Sequence, residues 1–292
     1  MLVTTAVSAA GIRNTQAKRI ITVGGALTEI VYALGLENRL VGIDTTSLYP
    51  PEALRQKPNV GYMRQLSAEG VLGLDPELII VAEGSGPKET LAVLGEAKVP
   101  IVTVPESFSE AGILERIRVV ARELGVEQRG ECLSEAVTKD LAAMRKLRDQ
   151  VSDKRRVMFV ISFVNGRAMV AGRKTAAHEI IALAGGINAA DNHDGYKPLS
   201  EEAIVAAKPD VVLVMQRGTD SISSETVFAN AAFALTPAAR DKSFIAMDGL
   251  YLLGFGPRTA AAARDLAVSL YPALAAKDEM GKPRVLSVNC RQ

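Results

Sequence analysis

Apolar positions along the chain fall into two alternating patterns. Short runs such as Ile20–Val23, Leu40–Ile43 and Leu78–Val81 are apolar almost throughout and largely β-branched, which suits strands buried on both faces. Between and after them, Ala26–Leu34, Lys88–Ala97 and Ser109–Leu124 carry apolar residues at helical spacing, with Gly35 and Gly125 as stops. A brief helix is expected at Glu52–Arg55 and another strand at Pro100–Val104. Strands alternating with helices across Gly/Pro turns predict a mostly parallel, doubly covered sheet. Glu127–Val151 then runs about twenty-five residues without proline and is rich in good helix formers, so it predicts one long helix. Beyond it the alternation resumes. Strand Arg156–Ser162 turns at Asn165-Gly166 into Ala168–Ala171, a hairpin signal, and Thr175 caps helix Ala176–Ala184. Helix Ser200–Ala207, strand Val211–Met215, a polar loop, a helix over Glu225–Ala234, strand Phe244–Met247 and helix Thr259–Leu270 complete the pattern.

One supersecondary unit occurs twice. Gly61–Val81 reads GYMRQLSAEGVLGLDPELIIV, and Gly195–Val214 reads GYKPLSEEAIVAAKPDVVLV. Aligned from the Leu-Ser pair, the copies share Leu66/Leu199, Ser67/Ser200, Glu69/Glu202, Pro76/Pro209 and Val81/Val214, and each opens on Gly-Tyr. A repeat of this kind argues for two similar lobes. The predicted fold class is therefore α/β: two Rossmann-like lobes joined by one long backbone helix, with a ligand cleft between them. The expected segments are a leader or signal remnant at 1–18, a first lobe at 19–126, the connecting helix at 127–152, a second lobe at 153–276 and an exposed tail at 277–292. A helical spacer, unlike a Gly/Ser linker, holds two lobes at a nearly fixed separation.

Composition narrows the function classes. The chain has 292 residues, 48% hydrophobic and 23% charged, a globular balance with room for two cores. A net charge of +1 gives no reason to expect nucleic acid or an anionic membrane as partner. His178 and His193 are the only histidines, so a divalent site of three or four imidazoles is excluded. Cys132 and Cys290 lie far apart and are expected to be two unrelated thiols. The apolar, small-residue start that ends in Ser-Ala-Ala looks like the remnant of an export signal; a misassigned start or a plain leader is the alternative. Neither a Walker loop, a nucleophile elbow, a GxGxxG fingerprint nor HExxH is present, and no carboxylate pair stands out for acid–base work, so catalysis is not expected.

The remaining candidates are binding residues. Tyr62 precedes a helix in a loop, with Arg64 two positions on. A phenol ligates poorly until ionised, its ordinary pKa being about 10, and a nearby guanidinium favours the phenolate, a hard donor suited to ferric iron. An ordinary loop tyrosine packed on its neighbours is the plainer alternative. Glu69 and Glu202 hold matched places in the repeat; they serve either as helix-start carboxylates or as paired docking charges. Arg217, just past Met215, is either an anion contact at the carboxyl end of a strand or a solvated side chain. His178 reads as exposed or capping, and His193 as an exposed residue close to Tyr196.

Two α/β lobes, a long connecting helix and matched Glu-bearing repeats resemble the helical-backbone periplasmic binding proteins of ABC importers, which take vitamin B12, siderophores and haem. Within that class the chain is similar to the haem-binding branch. The similarity is carried by TEIVYALGL, GYMRQLSAEGVLGLDPELII, MVAGRKTAAHEIIALAGG, GYKPLSEEAI, KPDVVLV and LLGFGPRT, and runs from about residue 19 to 275. The resemblance implies ferric haem as transported ligand, with Tyr62 as axial iron ligand and Arg64 stabilising its phenolate. It makes Glu69 and Glu202 the carboxylates that dock onto arginines of a permease dimer. It also implies a periplasmic location, with an outer-membrane haem receptor upstream. Some members place a histidine ligand after the second lobe's first strand; here Ile161–Gly166 has none, so ligation by tyrosine alone is expected unless His193 moves in. Tyr196 would line the cleft or meet a second haem. The same scaffold carrying cobalamin or a ferric siderophore is one rival expectation, and a cytoplasmic α/β enzyme or regulator is another.

Overall fold

The computed structural model describes residues 15–164, 166–216, 222–278 and 289–291. Arg217, Asn165 and residues 1–14 of the expected leader lie outside the described residues.

The first lobe is built on strands β1 (Ile20–Val23), β2 (Leu40–Ile43), β5 (Leu78–Ala82) and β6 (Ile101–Val104), parallel and ordered β2-β1-β5-β6. Between β2 and β5 a small antiparallel hairpin intervenes, β3 (Gly61–Tyr62) and β4 (Gln65–Leu66). Helices α1 (Gly25–Ala33), α2 (Ala53–Gln56), α3 (Ala68–Leu72), α4 (Lys88–Glu96) and α5 (Glu110–Glu123) join and cover them. All four residues of β1 are buried, as a central strand with apolar cover on both faces requires.

Helix α6 (Glu127–Arg148) is the long connector. It packs on α5 of the first lobe and on α13 and α7 of the second. Among the described residues no helix is long and apolar enough to cross a membrane.

The second lobe contains β7 (Arg156–Val164), β8 (Arg167–Ala171), β9 (Ile187–Asn188), β10 (Tyr196–Pro198), β11 (Val211–Gln216) and β12 (Phe244–Asp248). Strands β7, β11 and β12 run parallel, β8 returns antiparallel from β7 as the hairpin signal predicts, and β10 lies on the outer edge of β8. Its helices are α7 (Ala176–Leu183), α8 (Glu201–Ala207), α9 (Ser224–Phe228), α10 (Ala231–Ala234), α11 (Pro237–Arg240), α12 (Gly249–Leu253) and α13 (Thr259–Leu270). The single helix expected over Glu225–Ala234 is two, because the Asn230 side chain accepts the amides of Ala232 and Phe233 and starts a new helix.

Three expectations need correction at the chain ends. Cys132 and Cys290 are not independent thiols but form a disulfide across a sequence separation of 158. The tail does not remain wholly exposed: Cys290 is buried, and the Arg291 guanidinium donates to Tyr32 O at 3.1 Å and pairs with Glu37 at 3.1 Å. At the other end, residues 15–18 belong with the first lobe, since Ala17 is buried and the Arg39 side chain donates to the carbonyls of Thr15 and Ala17.

Candidate functional site at the carboxyl edges of the two sheets

In open α/β sheets ligands bind outside the carboxyl ends of the strands. Here those ends face one another. The turn after β1 meets the segment after β12: a Cβ on Gly25 would lie 2.6 Å from Leu250 Cδ1 and 2.3 Å from Thr46 O. Asp44, fully buried at the end of β2, accepts from Gly24 N at 2.9 Å, Thr46 N at 3.0 Å and Ser47 Oγ at 2.9 Å, and so fixes these first-lobe loops. Arg116 of α5 crosses to the second lobe and donates to the carbonyls of Gly254 at 3.0 Å and Phe255 at 2.7 Å.

Tyr62 stands on this edge. It belongs to β3, whose hairpin is sewn to both flanking loops: Thr45 N donates to Gly61 O at 2.9 Å, and Gly86 N donates to Met63 O at 2.9 Å. Met63 and Arg64 form the two-residue turn, so the ring at Tyr62 and the charge at Arg64 share one rigid projection. Tyr62 is 41% exposed, close to the 38% of Tyr196, so its place at the carboxyl edge rather than its exposure sets it apart. Leu48 after β2 and Val164 at the end of β7, each 47% exposed, add apolar surface at the carboxyl ends of the two sheets.

The sequence reading missed the charges around that projection. Glu106 follows β6, and its N–H donates to Glu83 Oε2 at 2.9 Å. Its carboxyl sits where surrounding chain displaces water, which raises its pKa against the opposing pull of Arg116 and then Arg64. The position just past a strand end was the signal that could have singled it out, as it did Arg217.

The second Gly-Tyr behaves differently. Tyr196 pairs with Ala171, four residues along β8 from the Arg167 that faces Val164, so it is set back about 13 Å from the hairpin turn. His193 is farther back still. Its carbonyl accepts Arg173 N at 2.7 Å, its Nε2 lies 3.4 Å from Val170 O, and neighbouring Asp194 is clamped by Lys174 at 2.8 Å and Arg173 at 3.1 Å. The structure thus brings Tyr62 and Arg64 together at the edge and leaves Tyr196 and His193 along the outer strand. His178, on α7, lies 3.3 Å from the Asn188 side chain.

The matched glutamates, by contrast, keep equivalent settings. Ser67 accepts Gly70 N at 3.2 Å and caps α3, with Glu69 in its first turn; Ser200 accepts Ala203 N at 3.2 Å and caps α8, with Glu202 there. Both glutamates are exposed. Beside Glu202 lies a hollow of about 240 Å³ whose lining includes Arg167, Ser200, Glu201 and Asn230. The Glu202 carboxyl is held below the usual range by its own backbone N–H, then by the Ser200 hydroxyl and the charge of Arg167.

Comparison with known proteins agrees with this architecture. The model of the periplasmic binding protein family matches residues 20–250. The periplasmic heme-binding protein RhuT from Roseiflexus sp. RS-1, solved in its apo form, is 43% identical with a TM-score of 0.84, covering 88% of this chain and 99% of that one. The periplasmic heme-binding protein BhuT, solved in complex with two hemes, is 39% identical with a TM-score of 0.83 over the same shares. The vitamin B12-binding protein of Yersinia pestis (strain Pestoides F) is 26% identical over 212 residues, 71% of this chain and 74% of that protein. The facing carboxyl edges, the connecting helix and these matches have one explanation: this chain belongs to the periplasmic binding protein family.

Proposed function

We propose that this protein captures ferric haem between its lobes and delivers it to an ABC transporter permease. The observation that carries the reading is the exposed ring of Tyr62, fixed with Arg64 on a hairpin at the cleft edge. Its agreement with two heme-binding relatives at 39% and 43% identity supports the choice of ligand. Tyr62 supplies the axial oxygen to iron. Arg64, on the same hairpin, is available to a propionate, and apolar edge residues cover the macrocycle. Glu69 and Glu202 dock one lobe each onto cationic side chains of the permease. The protein turns over no substrate of its own.

The segments follow from the same reading, as corrected above: a leader ahead of residue 15, lobes at 15–126 and 153–276, helix 127–152 between them, and a tail at 277–292 whose end is fastened to the first lobe. An oxidising, extracytoplasmic compartment, the periplasm, is supported by the Cys132–Cys290 disulfide.

Titration of the purified protein with hemin, followed by absorption, tests the proposal. Wild type is expected to shift the Soret band with saturable stoichiometry and to show a tyrosinate-to-iron charge-transfer band that Tyr62→Ala abolishes. A spectrum unaffected by Tyr62→Ala, or saturable binding of cyanocobalamin in place of hemin, refutes it.

A further inference from the structure

Among the described residues, seven large apolar side chains are exposed. Three stand at the carboxyl edges described above, and two lie on strands β9 and β10. The other two are Val93, 45% exposed on α4, and Leu235, 75% exposed where it closes α10. Helix α4 packs against α3, which carries Glu69, and α10 packs against α8, which carries Glu202. In the first lobe the Thr90 hydroxyl donates to Leu66 O at 3.2 Å, next to the Ser67 cap. Val93 is one turn farther along that side of α4. In the second lobe Asn230 caps α10 and lines the hollow beside Glu202. Leu235 follows about 8 Å along the helix, with exposed Ala231 and Ala234 on the same face.

The charges around these two side chains are mostly of one sign. Helices α3, α4, α8 and α10 carry five glutamates, all exposed, against the single cation Lys88, in a chain whose net charge is +1. Arg167 of β8 adds one more cation at the rim of the hollow. A lone exposed apolar residue needs no explanation, but one beside the matched carboxylate in each lobe makes two amphipathic patches. A second copy of this chain would set carboxylates against carboxylates, which opposes self-association. A cationic surface presented twice, as by a two-fold dimer, meets both patches at once. We propose that Val93 and Leu235 are apolar anchors of the permease-docking surface, each seated in a hydrophobic recess of one permease subunit while Glu69 and Glu202 meet that subunit's cations. The proposal rests on the docking reading above and adds two residues to it. Exposed carboxylates steer and orient the approach but hold weakly, whereas burying a valine and a leucine slows release.

The test measures hemin uptake by iron-starved cells of the native host, with the chromosomal copy replaced by Val93→Asp, by Leu235→Asp or by both. Each single variant should slow uptake about tenfold and the double variant about a hundredfold. Tm and the hemin titration of the purified protein should not change. Val93→Leu and Leu235→Met should keep the wild-type rate, as should Ile187→Asp, at an exposed apolar position on β9. Normal uptake in all three aspartate replacements at Val93 and Leu235 overturns the proposal, and so does a fall matched by a lower Tm or weaker hemin binding. A loss confined to one lobe also overturns it, as does a wild-type dimer in sedimentation that Leu235→Asp dissociates. Glu69→Ala and Glu202→Ala separate the two claims. If they slow uptake and the apolar variants do not, the anchors fail and docking stands; if none of the four slows it, the docking reading falls as well.

Discussion

The two copies of the Gly-Tyr unit share their second half and part company in their first. In the first lobe Gly61-Tyr62 folds back through Met63-Arg64 into a hairpin of its own, apart from the main sheet. In the second, Tyr196–Pro198 runs straight along β8 as an edge strand, and its tyrosine stays beside the sheet. After the Leu-Ser pair both copies do the same thing: a serine caps a short helix, a glutamate sits in the first turn, and a buried parallel strand follows. On the proposed reading, the half tied to docking is duplicated, and the half tied to ligand capture is specialised. The lobes also differ in how they are fastened, since the tail returns to α1 and α6 at the first lobe through Cys290 and Arg291.

The largest expected effect concerns that fastening. A cross-link between residues 158 apart restricts the unfolded chain strongly, and loss of such a bond costs about 3–5 kcal/mol. Cys290→Ser should lower the unfolding free energy by that amount in denaturant melts, with the wild-type protein under reductant behaving alike. A loss below about 1 kcal/mol would mean that the tail holds the first lobe no more firmly than an ordinary surface contact. The next effect separates the two tyrosines. Tyr62→Phe should weaken hemin binding about a hundredfold, or about 2.7 kcal/mol, whereas Tyr196→Phe should change it less than threefold. Equal losses in competition titrations would mean that both copies capture ligand and that the difference in geometry has no functional consequence.

Why the sequence disclosed one half of this comparison and not the other follows from the range of the interactions. Strands such as Ile20–Val23 and the serine caps at Ser67 and Ser200 are set by neighbours within a few residues, so patterning and cap chemistry reveal them. The Asn230 cap was equally local and readable, and the run of alanines beyond it hid the break. Other features depend on distant partners. Glu29 meets Arg258 across 229 positions, and Cys132 finds Cys290 only because α6 and the tail are both brought to the first lobe. The placement of Tyr196 depends on register with β8, which Gly-Tyr alone does not encode. Tyr62 was legible as a residue; its exposure, and Glu106 beside Arg64, needed the assembled loops.

If the docking halves are true copies, their caps should be worth the same. Each serine satisfies an otherwise unpaired amide at a helix start, and loss of such a cap costs about 1 kcal/mol. Ser67→Ala and Ser200→Ala should therefore shift urea midpoints by similar amounts, with no effect on the hemin spectrum. Loss confined to one lobe would show that the structural equivalence does not extend to energetics.

The smallest effect tests what sets the ionisation of Glu202, one of the two matched glutamates. Glu202 accepts its own N–H and the Ser200 hydroxyl and lies near Arg167, all of which favour the carboxylate. Its folded pKa is therefore lower than its unfolded one. The linked stabilisation is present above the unfolded value and is lost as pH falls through the folded value. Carbon-13 titration of the side-chain carboxyl should give a midpoint below the ordinary glutamate value of about 4.3. The local hydrogen bonds are the larger cause, so Arg167→Ala should raise the midpoint only slightly, whereas Ser200→Ala should raise it more. The reverse order would make the charge of Arg167 the main control. The carboxylate in the hollow would then be governed by a counter-ion that a docking cation must displace, rather than by the cap it shares with the first lobe.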